Sequence, residues 1–191
     1  PTFIEARRQF ILSQIVSLSI KEELDEWTKG ISIKWPNDIL LEGRKLVGIL
    51  TEMSAEFGHI NYLVVGIGIN VCVPQSMVPE ALRESAVSID DVAEKPTDRV
   101  ALLAKVLDHL ETCYETVLKE GFGPILDEWR RYSVTLGRMV KVIAPDTTYT
   151  GKAEDIDEEG ALLVRRENGH VERVLAGDVS IRPAQGKGKY Q

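Results

Sequence analysis

Ile33-Lys34-Trp35-Pro36-Asn37-Asp38, Gly43-Arg44-Lys45-Leu46-Val47-Gly48-Ile49-Leu50-Thr51-Glu52 and Val65-Gly66-Ile67-Gly68-Ile69-Asn70 all fall within residues 33–70. The runs 45–53 and 60–70 are dense in β-branched residues, and Ser54-Ala55-Glu56-Phe57-Gly58-His59 separates them, so the spacing predicts a β-hairpin. Strand side chains alternate faces. In the second run the odd positions Leu63, Val65, Ile67 and Ile69 are bulky and should face a core. The even positions run Tyr62, Val64, Gly66, Gly68 and Asn70, a face that empties toward its end. Gly48, Leu50 and Glu52 share one parity of the partner run. A glycine inside a strand marks a bulge, tight packing, or the close approach of a ligand or another backbone. Three of them beside Lys34, Asp38, Lys45 and Asn70 predict a shallow slot.

Pro36 restricts the residue before it and cannot donate to a ladder, so Lys34 and Asp38 are expected to flank a rigid turn. Glu42-Gly43-Arg44 closes a second turn and Lys45 opens the next strand. Two lysines and an aspartate beside a glycine-lined slot suit an anionic ligand such as a phosphate. A surface salt-bridge cluster is the competing reading.

The 191 residues are 43% hydrophobic and 28% charged, with no apolar run long enough to span a membrane. A net charge of −7 argues against a general nucleic-acid binder. Cys72 and Cys113 make neither a disulfide framework nor a metal set, which fits a reducing cytoplasm. His59, His109 and His170 lie far apart without zinc spacing, and no metal site is predicted. The chain opens at Pro1 without a signal-peptide pattern and reads as a fragment.

From Phe3 to Leu24, Ile4, Ile11, Ile15 and Leu18 recur at helical spacing, with Lys21 and Glu22 on other faces, which predicts an amphipathic helix on a sheet. Arg7-Arg8 reads as a solvated pair. The helix should end at Trp27-Thr28-Lys29-Gly30. The irregular segment 71–89, with a short helix near Glu80 to Glu84, is a candidate lid. Thr97 or Asp98 should cap a helix with a stripe of Leu103, Val106, Leu107, Leu110, Tyr114 and Val117, and a shorter helix should follow Gly123-Pro124. From Gly137 onward, short runs at Met139–Ile143, Tyr149–Ile156, Ala161–Arg165, Val171–Leu175 and Val179–Ile181, separated by turn signals, predict a small β-barrel. Gly186-Lys187-Gly188-Lys189 reads as a flexible tail.

Taken together in order and spacing, Lys34 to Asp38, Arg44 to Leu50 and Gly66 to Asn70 resemble the catalytic core of bacterial biotin protein ligases. Leu136 to Arg182, including Gly160-Ala161-Leu162-Leu163-Val164, resembles the SH3-like domain that ends those enzymes. The resemblance implies an α+β fold, a mixed sheet packed by helices of the class II aminoacyl-tRNA synthetase type, followed by a small SH3-like barrel. It divides the chain into part of a catalytic domain at 1–134, an SH3-like domain at 135–184 and a tail at 185–191. It also implies a two-step reaction in which biotin and ATP with Mg²⁺ form biotinyl-AMP, and the biotinyl group passes to a lysine of a carboxylase's carrier domain. By the same resemblance Lys45 binds the biotin carboxylate and reacting phosphate, Asp38 helps the acceptor lysine lose its proton, and Asn70 contacts adenine. Gly48, Leu50, Gly66 and Gly68 line the pocket, with Lys34 a charge near the phosphates. A homodimer is a further implied partner; no nucleic acid or membrane partner is expected.

Family members carry an Arg- and Gly-rich loop and a Ser-Thr-Asn-type strand end ahead of the first helix, and neither occurs here. Two alternatives therefore stand beside the ligase: a lipoate or octanoyl ligase or transferase of the same fold, and a non-catalytic biotin-binding or regulatory module.

Overall fold

A computed structural model of the chain describes residues 9–56, 59–93, 95–144, 147–175 and 180–183. The hairpin turn at Phe57-Gly58, the pair Arg7-Arg8 and the tail 185–191 lie outside these residues. Helix α1 (Gln9–Trp27) is followed by strands β1 (Ile31–Lys34), β2 (Asp38–Leu41), β3 (Arg44–Glu56) and β4 (His59–Ile69). Helices α2 (Arg99–Glu120) and α3 (Gly123–Tyr132) come next, then β5 (Met139–Ala144), β6 (Thr147–Ile156), β7 (Leu162–Arg166), β8 (Val171–Val174) and β9 (Ser180–Pro183). The fold is α+β. None of the described helices is long and apolar enough to cross a membrane.

The first sheet runs β1-β2-β3-β4 and the second β8-β7-β6-β5-β9. Every pairing between these strands is antiparallel. Among the described residues the expected mixed sheet thus keeps a parallel component only in single bridges, Ile33 with Ser133 and Lys45 with Ala86. The expected barrel is an open five-stranded sheet: among the described residues no pairing joins β8 to β9.

Helix α1 departs most from its sequence reading. Rather than one apolar stripe, almost its whole circumference is buried, including Ser13, Gln14, Ser17, Ser19, Lys21 and Glu23. A helix covered all round is a core element. It lies on β1 and β3 and also contacts α2 and α3. Ser17 and Ser19 turn their hydroxyls back to the Gln14 and Ile15 carbonyls, which satisfies them inside the core. Lys21, expected on a solvated face, pairs with Asp25 at 2.5 Å and sits 3.0 Å from the Tyr132 ring centroid.

Two apolar clusters meet along α1. One joins Val16, Ile20 and Leu24 to Ile39, Leu46, Val47 and Ile49 of the first sheet and Leu102 and Val106 of α2. The other joins Ile11, Ile15 and Leu18 to Trp35, Trp129 and Val140, Ile156, Leu162 and Val164 of the second sheet. Complete burial of such side chains contributes roughly 1.5–3 kcal/mol each. The second sheet therefore shares its core with the first helix, and Arg130 reinforces the seam by pairing with Asp155 at 2.7 Å and donating to the Ile156 carbonyl.

Asp98 caps α2 by accepting from the Val100 and Ala101 amides. Of the predicted α2 stripe, Val106 and Val117 are buried, whereas Leu103, Leu107 and Tyr114 are exposed. Leu102 and Cys113 are buried instead. The apolar surface of α2 is wider than the part α1 covers, and sequence spacing alone cannot say which edge a neighbour will use.

Candidate active site

The hairpin register places the small residues opposite one another. Strands β1 and β2 pair Lys34 with Asp38, β2 and β3 pair Asp38 with Gly48, and β3 and β4 pair Gly48 with Gly68. Residues paired across strands share a face, so Lys34, Asp38, Gly48 and Gly68 form one row across four strands. The next row along holds Leu50 opposite Gly66. The opposite face carries Val47 and Ile49, both buried, and Thr51, whose hydroxyl lies 3.0 Å from that of Ser13 on α1. Parity therefore holds on both strands, although the odd side of β4 is less covered than expected: Leu63, Val65 and Ile69 are half-buried and Ile67 is exposed.

Over the glycine row lies one side chain. A methyl group built on Gly48 would come within 3.2 Å of the Lys45 Cε and Nζ atoms, so the missing Cβ leaves the room Lys45 uses. The Lys45 Nζ stands 2.5 Å from Asp38 Oδ1, and the Lys34 Nζ 3.8 Å from Asp38 Oδ2. Above Gly66 and Gly68 there is ordinary space, with nearest atoms 3.7 and 3.8 Å from a notional Cβ. The face is open rather than slotted: Leu50 is 60% exposed, and Tyr62 and Val64 beside it are exposed too.

The turn that delivers Asp38 is clamped from several sides. Trp35-Pro36 is cis, the Trp35 amide donates to Thr135 Oγ1, and the Trp35 indole donates to the Gly160 carbonyl at 3.1 Å. Gln14 donates to the same carbonyl at 2.9 Å. Asn37 exchanges bonds with Ile49, donating from Nδ2 to the carbonyl and accepting the Ile49 amide. The sequence reading missed Asn37, Gln14 and Gly160. Asn37 lay in view inside the motif, but nothing in the order of residues links positions 14, 35 and 160.

Asn70 stands apart from the lysines. Its side chain donates to the Val87 carbonyl at 3.2 Å and, with Val73, Met77, Pro79 and Val87, it lines a cavity of about 200 Å³ under the segment that follows. That segment has two parts. Residues 85–90 are pinned: the Lys45 amide donates to the Ser85 carbonyl, the Val87 amide to Lys45, and the Ile89 amide to Asn70. The backbone of residues 72–84 makes local turns, including short 3-10 turns at Gln75–Met77 and Glu80–Leu82, and leaves Met77 and Leu82 exposed. Amide exchange across 72–84 is expected to slow when a ligand fills the cavity, while 85–90 stay protected in both states. Equal protection of 72–84 with and without ligand would make the segment permanent scaffold.

A four-strand meander carrying a lysine-aspartate-glycine row, with a second sheet built onto its first helix, is the class of structure in hand. Residues 3–70 match the Biotin/lipoate A/B protein ligase family and residues 135–182 match the Biotin protein ligase C terminal domain. The chain is 34% identical over 172 residues to the bifunctional ligase/repressor BirA of Bacillus subtilis, covering 89% of this chain and 52% of that protein. It is 34% identical over 149 residues to the biotin--[acetyl-CoA-carboxylase] ligase of Mycobacterium tuberculosis, covering 77% of this chain and 52% of that one. The biotin protein ligase of Aquifex aeolicus in complex with biotin and ATP superposes with a TM-score of 0.77 at 30% identity, covering 92% of this chain and 72% of that one. The chain belongs to the biotin protein ligase family. It spans about half the length of the curated relatives it matches.

Proposed function

We propose that this chain carries the lysine-aspartate half of a biotin protein ligase site, which joins biotin to ATP as biotinyl-AMP and then delivers biotin to a carrier-domain lysine. The observation that supports it best is the row itself: Lys45 folded over Gly48, held by Asp38, on an open face of small residues. In the first step a biotin carboxylate oxygen attacks phosphorus, the acyl phosphate bond forms and pyrophosphate leaves. Negative charge builds on the phosphoryl oxygens, and Lys45 with Lys34 behind it is placed to stabilise that charge. Lys45 is half exposed although Asp38 is mostly buried, and Lys34 on the other oxygen of Asp38 keeps that carboxylate partnered when an arriving anion draws Lys45 away.

Release of Lys45 frees the Asp38 carboxylate for the second step. The acceptor amine must be neutral to attack, and a lysine with a reference pKa of ~10.4 is mostly protonated near pH 7. Asp38 accepts that proton while the amide bond forms and AMP leaves. Asn70, beside its own cavity, is the proposed adenine contact, and Leu50 with Gly66 and Gly68 the apolar floor for biotin. Magnesium would travel with ATP. Asp38 is the carboxylate of this row and both its oxygens face ammonium groups, so the row is a poor ligand set for the ion and no step is routed through it.

The match of the second sheet to the biotin ligase C-terminal domain favours biotin over lipoate, because the match over 3–70 alone covers both chemistries. The biotin carboxyl carrier domain as acceptor, a homodimer, an SH3-like character for the second sheet and a cytoplasmic setting belong to the same proposal. Gly66→Val is the direct test, since valine suits a strand yet fills the face above Leu50. Calorimetric titration of the full-length protein should show biotin binding in the wild type, none of lipoate or octanoate, and a loss of biotin affinity of tenfold or more in the variant, about 1.4 kcal/mol. Undiminished affinity would move biotin off this face.

A further inference from the structure

Away from the glycine row, α1 and α2 press five acidic and basic side chains together. Glu23 is completely buried, and its Oε1 accepts from the Trp27 indole at 2.6 Å. Its Oε2 is also buried and has no hydrogen-bond partner. That oxygen points at His109 of α2, whose Nε2 is 3.6 Å away. Glu26, one turn further along α1, holds the Lys105 ammonium at 2.8 Å, and the same ammonium is 3.7 Å from Glu23 Oε1. On the other edge of the imidazole, Nδ1 lies 3.5 Å from Glu22 Oε2. One ligand atom each from Glu23, Glu26 and His109 falls within 4.8 Å of the other two.

We propose that Glu23, Glu26 and His109 form a binding site for a divalent transition-metal ion of the zinc class, which clips α1 to α2 and displaces the Lys105 ammonium. Zinc takes imidazole nitrogen and carboxylate oxygen at about 2.0–2.2 Å, which puts neighbouring ligand atoms of a tetrahedral site roughly 3.3–3.6 Å apart. The Glu23–His109 gap already has that span. Glu26 is exposed and can turn inward, and Lys105, 48% exposed, can turn out to water. An ammonium at its present place serves Glu26 and one oxygen of Glu23 but leaves the buried second oxygen unserved. A metal ion at His109 Nε2 would serve it.

The histidine is also dressed for the task. A carboxylate at Nδ1 holds the imidazole with the other nitrogen free to coordinate, the usual arrangement behind a metal-bound histidine, and Glu22 stands in that position. The presence of a nitrogen donor argues for zinc, cobalt or nickel over magnesium or calcium, which prefer all-oxygen sets. The ion would sit in the core's own scaffold, since α1 carries the first sheet on one side and the second on the other.

The test is calorimetric titration of Zn²⁺ alone into the untagged, metal-stripped chain, repeated with Co²⁺ to read the visible absorption of a tetrahedral site. One equivalent should bind and raise the melting temperature. His109→Ala should weaken binding at least tenfold, and Glu22→Gln should weaken it by roughly 10–100-fold, as loss of an orienting carboxylate does. Lys105→Met removes the competing ammonium and no donor, so it should tighten binding severalfold. All three positions are partly exposed, so the variants should fold; circular dichroism checks this. Absence of stoichiometric binding, binding unaltered by His109→Ala, or weaker binding in Lys105→Met would each overturn the site.

Discussion

Replacing Lys45 by alanine is expected to slow biotin-dependent pyrophosphate release by a factor on the order of 10²–10³, the cost of removing one preorganised charge-stabilising donor. The structure explains why the loss should fall on chemistry and not on folding. Lys45 is half exposed, and its salt bridge to Asp38 is replaced in part by Lys34. Its backbone, which bonds Ser85 and Val87, is untouched by the substitution. Urea unfolding of the variant should therefore move by less than about 1 kcal/mol. Pyrophosphate release at the wild-type rate in the full-length protein would remove Lys45 from the reaction. Biotin binding without any pyrophosphate release in the wild type would favour a non-catalytic, regulatory module.

A large loss of stability is expected at Gly160→Ala. Gly160 has φ +83°, a left-handed conformation that costs other residues about 1–2 kcal/mol. A Cβ there would also come within 2.5 Å of the Gln14 amide. Gln14 is buried and bonded to the Gly160 carbonyl, so making room breaks a buried hydrogen bond, at about 1–3 kcal/mol. The two contributions together predict a destabilisation of roughly 2–5 kcal/mol in denaturant unfolding. Gly169→Ala supplies the control: φ is +82° there too, but nothing lies within 4 Å of its Cβ, so only the backbone part applies. Equal losses in the two variants would show that the Gln14–Gly160–Trp35 clasp contributes nothing. Because Trp35 opens the turn to Asp38, the Gly160 variant should also lose some activity at temperatures where it remains folded.

Local chemistry makes much of this protein legible in its sequence. The bulky odd positions of 60–70 told which side of β4 would be apolar, and the turn chemistry of Pro36-Asn37 and Glu42-Gly43 bounded β1, β2 and β3. Parity also put Gly48, Leu50, Gly66 and Gly68 on a common face, which the ladder pairings bear out. Asp98, one of two candidate caps with Thr97, and Gly123-Pro124 marked the starts of α2 and α3 because caps and breakers act within a few residues. Motif order was enough to place the chain among the biotin protein ligases.

Other features depend on groups far apart in the chain and could only come from the fold. Whether α1 shows one face to the core or all of them depends on what surrounds it: here the stripe of Ile11, Ile15 and Leu18 joins the cluster of the second sheet, while α2 and α3 cover faces that spacing assigned to water. The same packing buries Lys21 against Tyr132 and brings Gln14 and Trp35 to one carbonyl at Gly160. It also faces Glu23 with His109 across two helices, where the sequence showed three scattered histidines and no ligand spacing. Periodicity in a segment encodes which of its own residues share a side. The partner that side meets is chosen by free energy summed over the whole chain, and that sum has no local signature.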